Sequence, residues 1–400
     1  MSRRGLGVSG LDVIVVGAGV VGAAAALAFA RDGMQVALVE TRQPPAWQRL
    51  PTDAERIDLR VYAFAPDNAS LLDSLGVWRD VANARLQPYR AMRVWDAAGG
   101  GELAFDADSF GRRELGWIVE HALLVDRLWN ALPSAGVQVH CPDSVVALEQ
   151  DEHGASVVLE SGLTLRSKIL VAADGAESKL RSLAGIEAPR HDYGQRGLVA
   201  FVESERPHQA TCWQRFLPTG PLAFLPFDDA NVSSIVWTLP EAEAQRLLEV
   251  DDAAFLRELD NAFAGRLGAL TRVSRRAAFP LRLQLAQSLA TGRVAVIGDA
   301  AHAVHPLAGQ GVNLGLRDVA TLRRTLADAR SRGLDLAARL PRWARAQRSG
   351  NALSAHAFDG INRLFSNDNV AATLLRGPLL GLAGKLPPLT HAFWRHAAGQ

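Results

Sequence analysis

Residues Asp12–Glu40, DVIVVGAGVVGAAAALAFARDGMQVALVE, constrain the fold more than any other stretch of the chain. Val13 to Val16 is a short apolar run rich in β-branched residues, as expected of a strand buried on both faces of a parallel sheet. Gly17, Gly19 and Gly22 follow as G-x-G-x-x-G, Ala23 to Arg31 is helix-prone, and Gly33 closes that helix. Val36 to Val39 is a second strand, ending in Glu40. The three glycines have different duties: Gly17 makes the tight turn, Gly19 admits a pyrophosphate to the backbone, and Gly22 lets helix and strand pack closely. Glu40 lies 18 residues beyond Gly22, near the spacing of about 20 at which an acid binds ribose hydroxyls. This order of elements predicts a βαβ unit holding an adenine dinucleotide. The uncharged run Val13–Ala30, behind Arg3 and Arg4 and ending in Ala-Phe-Ala, also imitates an export signal. Asp12 interrupts its onset, and the strand that follows completes the unit, so the sequence favours the βαβ reading.

A second constraint lies at Arg293–Asp318, RVAVIGDAAHAVHPLAGQGVNLGLRD. It predicts a buried strand over Val294 to Ile297, a Gly298-Asp299 step, a Pro- and Gly-rich loop, and an amphipathic helix from about Val312. The first N–H groups of a helix have no intrahelical partner and carry partial positive charge, which suits an anion or an electron-rich ring. Gly309 and Gly311 let a ligand approach the backbone, and Asp299 is placed to accept hydrogen bonds from polyol hydroxyls. A third segment, LTLRSKILVAADGAESKLR at Leu163–Arg181, predicts a strand over Ile169 to Ala172 leading into Asp174-Gly175. Ser178 and Arg181 then fall at a helix start.

Taken together, G-x-G-x-x-G from Gly17, A-D-G-x-x-S-x-x-R around Asp174 and G-D-A-A-H from Gly298 form an ordered set. In this the chain resembles the single-component, FAD-dependent aromatic hydroxylases, the group that includes p-hydroxybenzoate hydroxylase. More narrowly, it is similar to the ubiquinone-biosynthesis hydroxylases through DLRVYAF from Asp58, LLDSLGVW from Leu71 and HPLAGQGVNLGLRD from His305. The resemblance implies that Gly17, Gly19, Gly22 and Glu40 hold the ADP half of FAD and that Arg60 reaches the cofactor. It ties Asp174 and Gly175 to FAD and to NAD(P)H handling, and Asp299 to the ribityl chain. It implies that Pro306, Gly309, Gln310, Gly311 and Asn313 line the isoalloxazine ring. One departure stands in IVEHALLV from Ile118: where related hydroxylases often carry Asn-Arg and a later Gln, this chain has His121, Ala122 and Val125.

The implied fold is α/β: a Rossmann-like, glutathione-reductase-like FAD-binding domain, an inserted, mainly antiparallel substrate sheet, and a helical C-terminus. The expected FAD-binding pieces are 1–80, 110–185 and 286–340; 81–109 and 186–285 form the substrate domain, and 341–400 the helical region. Candidate strands of the insert are Gly197 to Glu203, Ala223 to Pro226 and Ser233 to Trp237. Thr373 to Phe393 is largely apolar but broken by Gly377-Pro378 and Pro387-Pro388, so it suits a core cap or a membrane surface rather than a span. A net charge of +1 gives no drive toward nucleic acid, and Cys141 and Cys212, far apart, support neither a disulfide framework nor a disulfide-reductase chemistry.

Several tempting residues carry weaker readings. His302 and His305 in H-x-x-H fit the flavin loop better than a metal site. Trp213, Trp237 and Trp343 suit core packing. His191, Tyr193 and Arg215 could each meet a phenol oxygen, no spacing selects among them, and no residue is assigned as catalytic. The resemblance implies an NAD(P)H-dependent monooxygenase in which reduced flavin and O₂ give a C4a-hydroperoxide attacked by an electron-rich ring. The ring expected is a polyprenyl phenol, and the expected location is cytoplasmic, with peripheral placement at the inner membrane face or in a biosynthetic complex. An FAD oxidase or dehydrogenase, and a flavin-binding scaffold subunit, remain as rival readings at this point.

Overall fold

The computed structural model describes residues 8–49, 58–97, 101–303 and 310–348. A parallel layer is built around the first strand, Val8–Val16, which pairs in parallel with Val36–Val39 on one side and Thr164–Ala172 on the other. Gln138–His140 extends the parallel run beyond Val36–Val39, and Val294–Val296 extends it beyond Thr164–Ala172. Ala155–Leu159 and Val145–Gln150 add an antiparallel flap to the same sheet. The helix Val20–Arg31 is buried from Gly22 through Phe29, because the sheet lies under it and the helices His121–Ala131 and Gln310–Ser331 lie against it. That burial on all sides explains its lack of charge. The stretch that imitates an export signal is the strand and helix of a βαβ unit.

The helix Gln310–Ser331 starts two residues before the sequence expectation. It buries the stripe Val312, Leu316, Val319, Leu322, Leu326 and Ala329, which recurs at helical spacing. Gly315 allows its close approach: a Cβ there would lie 2.5 Å from Val21 Cγ2 and 3.1 Å from the Gly298 Cα.

A nine-stranded sheet covers this layer. In spatial order it runs His302–Ala303, Ala277–Leu285, Arg190–Ser204, Val232–Pro240, Gly220–Pro226, Thr211–Leu217, Ala91–Asp96 and Glu102–Asp106, with Leu270–Val273 beside Arg190–Ser204. All pairings are antiparallel except Thr211–Leu217 with Ala91–Asp96. Its outer face packs Leu222, Phe224 and Trp237 on the helices Glu241–Glu249 and Asp252–Phe263, with Phe224 stacked on Phe263. Its inner face packs Val199, Phe201, Ala223 and Leu225 toward Val61, Ala63, Tyr89 and Ile118. Those last residues belong to a three-stranded sheet of Val61–Phe64, Gly116–Glu120 and Gln87–Tyr89. Gly220–Pro226 therefore reads as one unbroken apolar run: both of its faces are covered.

The segment 81–109 divides between these bodies. Val81 packs into the parallel layer's core, whereas Ala91–Asp96 and Glu102–Asp106 join the large sheet. His302–Ala303 crosses from the end of the parallel layer to the edge of the large sheet, through the pairs Gln284 with Ala303 and Leu285 with His302. Residues 340–348 are helical, and the rest of the expected C-terminal region, including Thr373 to Phe393, lies outside the described residues.

Asn313 locks the long helix to the small sheet. Its Oδ1 accepts from the Ala65 amide at 3.0 Å and from Asn68 Nδ2 at 2.9 Å, while its Nδ2 donates to the Ala63 carbonyl at 2.8 Å. The residue is fully buried, so removing the carboxamide orphans groups that water cannot reach. Asn313→Ala should lower the unfolding free energy of the cofactor-free protein by about 3 kcal/mol, read as a drop in the denaturant midpoint. An unchanged midpoint would show that this lock contributes nothing.

Candidate functional site

The carboxyl ends of the parallel strands meet at one edge of the sheet, where open α/β sheets place their ligands. Three backbone hydrogen bonds stitch those ends together: Gly17 N–H to Val39 O at 2.8 Å, Ala173 N–H to Val16 O at 2.8 Å, and Ile297 N–H to Ala172 O at 3.0 Å. The stitches set side by side the three motifs that lie up to 280 residues apart in sequence. A cavity of about 850 Å³ opens over them, lined by Gly17, Gly19, Glu40, Asp174, Gly175 and Asp299, and continues to the inner face of the large sheet.

The expected residues that fall among the described ones can each be placed. Gly17 has φ +99°, and a Cβ there would lie 2.4 Å from the Ala173 carbonyl oxygen. A Cβ on Gly22 would lie 2.0 Å from the Gly17 oxygen. Gly19, by contrast, faces open space and begins the first helix with no side-chain cap and no acid in the first turn. Its unsatisfied N–H groups thus remain available to an anionic group. Glu40 Oε2 accepts from the Ala18 amide at 2.6 Å, and Oε1 accepts from Thr41 Oγ1 at 2.9 Å, so the acid shapes the glycine turn as well as facing the cavity. Arg60 lines the cavity with its guanidinium on Asp58, both contacts at 3.0 Å.

Asp174 works mainly on its own loop. Its Oδ2 accepts from the Lys179 and Leu180 amides at 2.8 and 3.1 Å, and its Oδ1 meets Ser178 Oγ, so it caps the short helix Lys179–Leu183. Ser178 caps the same helix through the Arg181 amide at 3.0 Å. Arg181 Nη1 donates to Ala176 O at 3.0 Å and to Ala300 O at 2.8 Å, tying the second motif to the third. Gly175, at φ +83° beside open space, faces the cavity.

Asp299 is exposed to the cavity, and the cavity walls desolvate it enough to raise its pKa, although His302 pulls it down. A Cβ on Gly311 would sit 3.9 Å from Asp299 Oδ1, so the carboxylate lies beside the start of the long helix. Asp318, from that helix, accepts from the Gly298 amide at 3.0 Å and from His302 Nε2 at 2.6 Å. Burial opposes the charged imidazole of His302, but Asp318 overrides it and the pKa is raised. His302 is therefore a buried partner of Asp318 and not a cavity group.

The three bonds given above turn the Asn313 carboxamide to Ala63, Ala65 and Asn68, so the structure gives this residue a role in holding the long helix in place. Pro306, Gly309 and His305 lie outside the described residues, as does the side chain of Gln310. Gly311 and Val312 line the cavity. Of the departures near Glu120, Val125 packs in the core and only His121 reaches the cavity.

His121 Nδ1 lies 2.8 Å from the Tyr62 hydroxyl, and both residues line the cavity. Burial, with Arg60 adding to it, holds the His121 pKa down to about 4. Burial also raises the Tyr62 hydroxyl well above its ordinary range. The pair is thus neutral at pH 7, and the tautomer of the imidazole sets which of the two donates. Composition and spacing gave no sign of this pair, because it joins a strand to a helix start 59 residues away.

The far wall is the inner face of the expected substrate sheet, and Val199, Ala223 and Val236 fall in its expected strands, although which side chains face the cavity was not legible. Val199, Gln214, Ala223, Val236, Thr238 and Leu281 of the large sheet line it. The aromatic candidates lie elsewhere. Arg215 donates to Ala262 O at 2.7 Å on the outer face, and His191 packs edge-on against Tyr193 outside the lining. Trp213, Trp237 and Trp343 pack in or against cores, as expected.

A dinucleotide cradle and a mostly apolar wall sharing one cavity define an enzyme that works with a dinucleotide cofactor, and comparison with known proteins bears on which. The profile of a family described as FAD binding domain matches residues 10–336. The chain is 37% identical over 394 residues to ubiquinone hydroxylase UbiL of Rhodospirillum rubrum, covering 97% of this chain and 89% of the relative. It is 37% identical over 323 residues to 3-demethoxyubiquinol 3-hydroxylase of Escherichia coli, covering 80% and 81%. The crystal structure of p-nitrophenol 4-monooxygenase PnpA from Pseudomonas putida shares the fold, with TM-score 0.75, 18% identity and 96% coverage of both chains. The chain belongs to the FAD binding domain family and is an FAD-dependent monooxygenase.

Two tests follow from the site. Asp299→Asn removes a carboxylate whose charged form the cavity walls disfavour, so the cofactor-free protein should melt at the same temperature or higher while FAD affinity falls about 10- to 100-fold by titration. Full retention of FAD affinity would remove Asp299 from the cofactor site. Because folding favours neutral His121, its contribution to stability is complete above pH 6.5 and is lost as pH falls from 6.5 toward about 4. The melting temperature of His121→Asn should therefore fall less steeply with acid over that window than that of the unaltered protein. Parallel slopes would contradict the depressed pKa.

Proposed function

We propose that the chain hydroxylates the aromatic ring of a polyprenyl phenol in ubiquinone biosynthesis, consuming NAD(P)H and O₂. The balance is ring C–H plus O₂ plus NAD(P)H plus a proton, giving ring C–OH, water and NAD(P)⁺. The observation that carries this reading is the shared cavity: a dinucleotide cradle at one end and a mostly apolar wall at the other. The names of the relatives, a ubiquinone hydroxylase and a demethoxyubiquinol hydroxylase, support the choice of ring.

The residues present fit FAD. Gly19 leaves open space at an uncapped helix N-terminus where a pyrophosphate would sit, Glu40 and Asp299 present carboxylates for sugar and polyol hydroxyls, and Gly311 leaves room at the start of the long helix. When bound, FAD supplies hydride acceptance and oxygen activation. The chain supplies binding, orientation and a dry wall. The positive end of the helix from Gln310 stabilises negative charge developing near Gly311. Val199, Ala223, Val236 and Leu281 exclude water from the ring. Among the described residues no helix is long and apolar enough to cross a membrane. Phe279, 46% exposed at the cavity lining, offers an apolar rim for a prenyl tail, which supports working at a membrane surface or within a biosynthetic assembly.

Purified FAD-loaded protein given NAD(P)H and a short-chain prenyl phenol should release hydroxylated product in step with O₂ uptake. Product formed without O₂ would make the chain a dehydrogenase. Bound FAD that NAD(P)H fails to reduce, with phenol present, would favour the scaffold reading. A deletion strain should accumulate the unhydroxylated precursor.

A further inference from the structure

The inner face of the large sheet has a polar exception. Strand register sets Gln214 opposite Ala223, Ala223 opposite Val236, and Val236 opposite Val199, so these four form one row across the sheet. All four line the cavity. The neighbours Trp213 and Arg215 turn to the other face, where Trp213 packs near Trp95 and Arg215 donates to the end of the helix Asp252–Phe263. Alternation along the strand thus aims Gln214 inward.

Among the described residues the Gln214 carboxamide has no hydrogen-bond partner, whereas the comparable inner-wall amide of Gln284 donates to Ala176 O at 3.0 Å. Gln214 is half-buried and its carboxamide is open to the cavity, so a ring that displaces water from it must replace the hydrogen bonds that water made. Charge on the same wall is already matched: Arg190 pairs with Glu177, and Arg282 with Asp192 at 3.3 Å. Among the described residues, the large-sheet side of the cavity therefore offers a carboxamide and no cation without an acid partner, and Lys179 and Arg60 lie on the cradle side.

We infer that Gln214 is the residue that recognises the ring, hydrogen-bonding a neutral oxygen substituent, a phenolic hydroxyl or an ether, and that rings bearing a carboxylate are excluded. This rests on the reading above that the substrate is an aromatic phenol. A carboxamide suits the task because it donates and accepts, and so serves a hydroxyl or an ether alike. A carboxylate entering the same wall would lose its water and gain no counter-charge.

The test uses FAD-loaded protein and three probes: 2-prenylphenol, prenylbenzene, and 4-hydroxy-3-prenylbenzoate. Binding is read from the perturbation of the flavin spectrum. The unaltered protein should prefer 2-prenylphenol to both others by about 10-fold or more. Gln214→Met, close to isosteric, should weaken 2-prenylphenol by about 10-fold and leave prenylbenzene unchanged, so that the discrimination collapses. KM should rise by the same factor, while FAD content stays full. Equal weakening of both neutral probes would mean Gln214 acts only through packing, and would overturn the inference. So would preference for the benzoate. Gln214→Leu gives the same comparison should the Met variant lose FAD. A spectrum that no probe perturbs in the unaltered protein would sink the phenol reading itself, and the assignment of Gln214 with it. Binding of 2-prenylphenol and prenylbenzene with equal affinity would overturn only the role of Gln214.

Discussion

Everything at the site depends on the backbone stitches across the carboxyl ends of four parallel strands. Gly17 N–H to Val39 O, Ala173 N–H to Val16 O, and Ile297 N–H to Ala172 O fix the glycine turn, the Asp174 loop and the Asp299 loop in one register. The second stitch brings Ala173 so close that Gly17 cannot carry a side chain, since a Cβ would meet the Ala173 carbonyl at 2.4 Å. A buried hydrogen bond left unmade costs more than a made one contributes, so the three loops are strongly held to this arrangement. Two side chains reinforce it: Arg181 reaches the Ala300 carbonyl from the second motif, and Asp318 takes the Gly298 amide from behind the third.

This makes the motifs as much architectural as functional. Glu40, Asp174, Ser178 and Arg181 spend most of their hydrogen-bonding capacity on turns and caps. Asn313 and Asp318, in the run GVNLGLRD, bolt the long helix to the small sheet and to the strand end. What remains open to the cavity is the smaller set of Gly19, Arg60, Gly175, Asp299 and Gly311, with Tyr62 and His121 beside them. Binding groups are thus held by residues whose own orientation is locked, which is how a preformed site keeps its geometry.

The opposite wall follows another logic. The large sheet is covered on its outer face by two helices, so its strands can be apolar throughout and still be soluble. Its inner face is then free to serve as a lining that differs from the rest of the sheet only at a few positions. One short strand, His302–Ala303, links the two layers and so couples the edge of that wall to the loop carrying Asp299.

The linear order of residues was enough for the βαβ unit, the three strand ends and the class of cofactor. Each of these is written locally, in β-branched runs, in glycine spacing and in an acid or a Gly-Asp step at a strand end. Gly17, Gly22 and Asp299 could be read because the constraint on them is a backbone approach or a chain reversal within a few residues. Tertiary structure alone decided the rest. Tyr62 meets His121 across 59 residues, Asn313 meets Ala63 across 250, and Gln214 gains its row only through the register of four strands. A side chain on a strand faces one of two sides, and which side is the cavity depends on what packs against the other. For the large sheet that is a pair of helices whose position no local pattern records.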